Sequence, residues 1–132
     1  MQGKNPMRWD CEKQGCFNIK RRPKIEVFSD CFPNNISFGD VDGIVEINGY
    51  GLLLEWKQDV KCPPMGQHIM YQKLTKTKLL TVFLVIGHAE TMEVSHIGGY
   101  YGGKQKKTQK TDLEGVKTKI KNWVQRAQAN TI

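Results

Sequence analysis

Nowhere does the chain contain an apolar run long enough to cross a bilayer. The longest, Leu79 to Gly87, falls far short of the roughly 20 residues that a spanning helix needs, so no membrane partner is expected. The stretch from Met1 to Asp10 also lacks the apolar core of a secretion signal, so a cytoplasmic protein is expected. Cysteine is sparse. Cys11, Cys16, Cys31 and Cys62 have neither the secretory context of a disulfide framework nor the paired Cys-x-x-Cys spacing of a zinc ribbon, so reduced thiols are expected. There is no Walker loop, dinucleotide fingerprint or internal repeat, and His68, His88 and His96 lack the spacing of paired zinc ligands. Acid is scarce too: Asp and Glu total 13 against 20 for Lys and Arg, a formal net charge of +7. That imbalance favours a polyanionic partner, nucleic acid being the commonest. A length of 132 residues suits one domain, 1–132.

What is present is organised around Phe38 to Gln58. Asn48-Gly49 lies between two apolar runs, and Asn-Gly is the strongest short signal for a two-residue type I′ hairpin, which needs positive φ at both central residues. A two-residue turn sets Ile47 opposite Tyr50, Val45 opposite Leu52, Gly43 opposite Leu54, Asp42 opposite Glu55 and Asp40 opposite Lys57. Side chains alternate along a strand, so Val45, Ile47, Tyr50, Leu52, Leu54 and Trp56 share an apolar face expected on the core. Asp40, Asp42, Glu55 and Lys57 share the other. Like charges directly opposed on paired strands repel. Asp42 and Glu55 must therefore share a proton, lean on a cation such as Lys57, or hold a divalent metal between them, and the metal is the favoured reading.

An Asp followed by Glu-x-Lys on the next strand resembles the active site of the PD-(D/E)XK nuclease superfamily. Asp42-Gly43-Ile44-Val45 with Leu53-Leu54-Glu55-Trp56-Lys57 is similar to its small phage and bacterial members, of restriction-endonuclease-like or Holliday-junction-resolvase-like type. The resemblance implies an α/β fold with an αβββαβ core, a central mixed sheet flanked by helices. It implies a Mg²⁺-dependent deoxyribonuclease, an endonuclease hydrolysing phosphodiester bonds in DNA, with Mn²⁺ as a substitute. Asp42 and Glu55 would hold the metal together with the Trp56 backbone carbonyl, and Lys57 would orient or activate the attacking water. Asp40, on the same face, is the alternative ligand. Gln67 would touch the metal-bound water or the scissile phosphate, and Glu12 is the acid that a first helix would lend. A phage-encoded member would act in the host cytoplasm.

Elsewhere, Asn5 and Pro6 predict a first helix towards Phe17. Arg21 and Arg22 sit in a basic cluster suited to phosphates, and Ile25 to Phe28 reads as a short strand or an extra turn. A helix is expected from about Gln67, its spacing continuing through Tyr71 and Leu74 to Lys78. Leu79 to Gly87 predicts a central strand buried on both faces, and Met92 to Ile97 one more, at an edge. Gly98 to Lys110 reads as a basic loop for nucleic acid, in which Lys104, Lys106, Lys107 and Lys110 neutralise phosphates while Tyr100 and Tyr101 stack on bases. Thr111-Asp112-Leu113-Glu114 is a capping box ahead of a final amphipathic helix. Two other readings stay open: a catalytically inactive nucleic-acid-binding module of the same fold, and a phage protein that binds a host factor. A homodimer partner would help a chain this compact to recognise DNA.

Overall fold

The computed structural model describes residues 23–34, 36–59 and 65–130. The expected first helix with Glu12, the cationic pair Arg21 and Arg22, and Cys11, Cys16 and Cys62 lie outside the described residues. The chain falls into two compact units, Met1–Asp40 and Val41–Ile132.

In the first unit Ile25–Cys31 is a 3-10 helix, which settles the choice between strand and turn in favour of the turn. The Phe38 ring meets Phe28 and Phe32 edge-on, with centroids 6.1 and 5.2 Å apart. Cys31 is a free, exposed thiol.

The second unit is α/β. Its elements are β1 (Gly43–Ile47), β2 (Tyr50–Lys57), α1 (Met65–Leu74), β3 (Leu80–His88), β4 (Glu93–Tyr101), β5 (Lys104–Lys110) and α2 (Leu113–Ala129). The five strands form one sheet in chain order. β2 and β3 run parallel and the other neighbours antiparallel, so the sheet is mixed. A parallel neighbour cannot be reached by a tight turn, and α1 supplies the crossover. Among the described residues no helix is long and apolar enough to cross a membrane.

The hairpin has the register expected, from Ile47 opposite Tyr50 to Gly43 opposite Leu54. Asn48 and Gly49 take φ of 53° and 89°, the conformation a type I′ turn requires. The turn is fastened twice: Glu46 accepts the Gly49 N–H at 2.6 Å, and the Asn48 amide donates to the Ala127 carbonyl at 3.1 Å.

Both faces of the sheet are covered. On one, Leu53, Val82, Leu84 and Tyr100 pack with Tyr71 of α1. On the other, Leu52 meets Trp123 and Ala127 of α2, while Val85 and Ile97 meet Val116. β3 is therefore central, with Val82 and Val85 both at 0% exposure, as its unbroken apolar run predicts. The face that carries Glu55 is correspondingly apolar around it, not a charged surface. Val45 was expected on the core but is half-exposed, because β1 is the sheet's edge.

The carboxy-terminal half departs further from expectation. The edge strand at Met92 to Ile97 is interior β4, and the basic loop is the end of β4, a tight turn at Gly102 and Gly103, and β5. Lys-Gln-Lys-Lys-Thr-Gln-Lys lacks apolar alternation because every residue of β5 is exposed. Its strand character comes from the backbone ladder to β4, and its lysines discourage further edge pairing. The ladder is bulged, Gly99 pairing with Lys106 but Ile97 with Gln109. α1 ends at Leu74, short of Lys78, which takes positive φ. α2 is capped by Asp112, which accepts the Gly115 N–H at 2.8 Å, where the sequence pattern pointed to Thr111.

Candidate active site

The β1–β2 ladder stops at Gly43 and Leu54, and a side chain replaces the backbone one residue on. Asp42 Oδ2 accepts the Trp56 N–H at 2.6 Å. In an antiparallel ladder a residue's N–H and C=O leave the strand on the same side. The Trp56 carbonyl therefore faces the side that Asp42 occupies, beyond the last rung of β1. The Trp56 indole turns to the α2 face, where Nε1 donates to the Gly87 carbonyl at 2.9 Å.

Glu55 and Lys57 alternate with Trp56 and so point to the α1 face. Glu55 is only 6% exposed. The Tyr71 hydroxyl hydrogen-bonds its carboxylate, which offsets part of the cost of burying that charge. Burial first, then the negative charge of Glu55 and the bond to it, push the Tyr71 phenol above its ordinary value; Tyr100 and Asp42 add smaller upward effects. Glu55 and Asp42 thus both act on one phenol.

Lys57 Nζ donates to Gln67 Oε1 at 3.1 Å. Gln67 lies one helical turn before Tyr71, so a single face of α1 serves both Lys57 and Glu55. The same helix brings His68 Nδ1 within 2.7 Å of the Tyr100 hydroxyl, and the Tyr71 and Tyr100 rings sit 5.2 Å apart.

Asp42, Glu55, Trp56, Lys57 and Gln67 are thus gathered at one end of the hairpin. Gln67 holds the lysine ammonium, a contact the sequence reading did not foresee. Asp40 belongs to the first unit. Tyr100, expected to stack on bases, is fully buried against α1, which corrects that assignment. Tyr101 is exposed, with Lys106 Nζ 5.7 Å from its ring centroid. Lys104, Lys106, Lys107 and Lys110 lie on β5, at the opposite edge of the sheet from β1. Tyr71 and His68 were missed as site residues, and Tyr100 was expected in the basic loop instead. The sequence signal for Tyr71 is the helical spacing that puts it on one face of α1 with Gln67.

Two carboxylates and a main-chain carbonyl form a hard, all-oxygen donor set. Among the described residues no three His, Cys, Asp or Glu side chains cluster as a metal cage. Such a set suits Mg²⁺, which keeps several waters and uses one or two carboxylates, better than zinc, which draws on nitrogen and sulfur. The Trp56 bond uses one oxygen of Asp42, and the other would serve for ligation. Comparison with protein-family models, with curated proteins and with solved structures finds no match to this chain.

Proposed function

We propose that the chain is a metal-dependent nuclease of PD-(D/E)XK type, with a restriction-endonuclease-like core, that hydrolyses phosphodiester bonds in DNA. The observation that carries this reading is the convergence of Asp42, a buried Glu55 and a Lys57 anchored by Gln67 where the β1–β2 ladder ends. Asp42, Glu55 and the Trp56 carbonyl would hold Mg²⁺, or Mn²⁺ in its place, which would supply Lewis-acid polarisation of a phosphate and a more acidic bound water.

The chain's own groups have separable roles in this reading. Tyr71, its phenol held above its ordinary value and so protonated at neutral pH, orients the Glu55 carboxylate. Gln67 fixes the Lys57 ammonium beside the carboxylates, where it steadies an attacking water or the charge that grows on the phosphate. The net charge of +7 favours approach of a polyanion.

The test is cleavage of supercoiled plasmid and of branched DNA with Mg²⁺ or Mn²⁺. Wild type is expected to cut and Glu55→Gln to lose about 10²-fold or more in rate, the scale on which one electrostatic group matters. Equal cleavage by the two proteins would remove the site. DNA binding without cleavage by wild type under both metals would favour the non-enzymatic binding module, a reading to which the wholly exposed lysine strand β5 lends its own support.

A further inference from the structure

On the sheet face away from Glu55, a cavity of about 520 Å³ opens between β4–β5 and α2. Lys106, Lys107, Lys119 and Arg126 line it, with Tyr101. A second cavity of about 330 Å³ shares Thr81, Tyr101 and Arg126 with the first and adds Lys78 and Tyr50. The two form one groove. Among the described residues no acidic side chain lines either part, although acids make up 13 residues of the chain.

The groove is a product of the fold. β-bulges re-aim side chains, and the bulge opposite Gly98 lets the successive residues Lys106 and Lys107 border the same cavity. Gly98 and Gly99 contribute backbone to its lining. Lys119 and Arg126 lie seven positions apart on α2, two helical turns, so they form one cationic row facing the lysines of β5. Lys106 already rests over the Tyr101 ring, which leaves an exposed aromatic in the middle of the cationic lining.

Cations in a groove bordered by an aromatic are the pattern of proteins that track single-stranded nucleic acid, phosphates meeting the charges and a base stacking on the ring. A cavity of this volume takes a ligand on the scale of a nucleotide. An exposed ring favours an unpaired strand, whose bases are free to stack on it, over a duplex, whose bases are not. We propose that this groove is a binding site for an unpaired nucleic-acid strand, separate from the carboxylate site across the sheet. The groove requires no catalysis, so it stands apart from the nuclease reading.

The experiment is fluorescence anisotropy of a short fluorescein-labelled oligothymidylate with the full chain at fixed salt and without divalent metal. Lys119→Glu/Arg126→Glu, both exposed on α2, is expected to weaken binding at least tenfold and to flatten the salt dependence by a slope of about two. Tyr101→Ala should weaken it about tenfold through lost stacking. Thermal melts monitored by circular dichroism confirm that each variant is folded. Wild-type affinity in the folded double variant would overturn the proposal, as would a duplex of the same length binding as tightly as the single strand. Displacement by thymidine monophosphate at equal phosphate concentration would overturn it in favour of a small anionic ligand. Loss of plasmid cleavage with this binding intact would count against the nuclease reading alone.

Discussion

Glu55 and Tyr71 show how a single pair can carry both stability and chemistry. A hydrogen bond to a buried carboxylate contributes about 1.5–3 kcal/mol, so Tyr71→Phe is expected to lower stability by that amount at neutral pH. The pH dependence has a definite sign. Tyr71 is held above its ordinary pKa in the folded protein, whereas the unfolded chain releases that proton near pH 10. Its contribution is therefore complete below about pH 10 and is lost as pH rises further, because only the unfolded state ionises there. Urea midpoints for wild type and Tyr71→Phe should differ most at neutral pH and draw together above about pH 10. A gap that stays constant across that range would show that the phenol is not held above its ordinary value in the folded protein.

At the scale of elements, the β3–β4 contact depends on a missing side chain. Gly99 has φ of 156°, and a Cβ there would overlap the Val82 carbonyl oxygen on β3. Gly99→Ala is expected to cost about 1–3 kcal/mol, as overpacking does, and to lower the melting temperature by several degrees. Gly66→Ala is the control: it sits exposed in α1 with nothing near its absent Cβ, and should stabilise by about 0.5–1 kcal/mol. A melt in which Gly99→Ala matches this control would mean that β3 and β4 can separate freely.

The same contrast explains which elements were legible in the sequence. The hairpin could be read to the residue because Asn48-Gly49 sets its register locally and the apolar alternation agrees with it. β3 was legible because burial on both faces leaves an unbroken apolar run. β5 was not, since an edge strand exposed on every residue is held by backbone bonds that leave no mark on residue type. The site was legible in part: Asp42, Glu55 and Lys57 carry their chemistry in their identities. Tyr71 does not, because a buried aromatic reads as packing until a partner such as Glu55 is placed beside its hydroxyl, and Tyr100 reads as part of a basic loop until the fold buries it.

At the scale of the whole molecule, the sheet separates two kinds of chemistry. Odd-numbered residues of β2 turn Glu55 and Lys57 towards α1, while the cationic groove lies on the face covered by α2. Strand alternation alone therefore keeps a carboxylate pair that would repel phosphate away from a row of charges that attracts it. Groups more than about 7–10 Å apart with no shared partner contribute additively, to within about 0.5 kcal/mol. If one face cuts and the other holds an unpaired arm of the substrate, Glu55→Gln should lower kcat and leave KM alone. Lys119→Glu/Arg126→Glu should then raise KM for branched DNA about tenfold or more and leave kcat within about twofold. The combined variant should show the product of the two losses. Steady-state kinetics on a branched substrate with Mg²⁺, compared across the four proteins, measures this directly. A combined loss no greater than that of Glu55→Gln alone would mean that the groove contributes nothing to the cleaved complex, even if it binds a strand by itself.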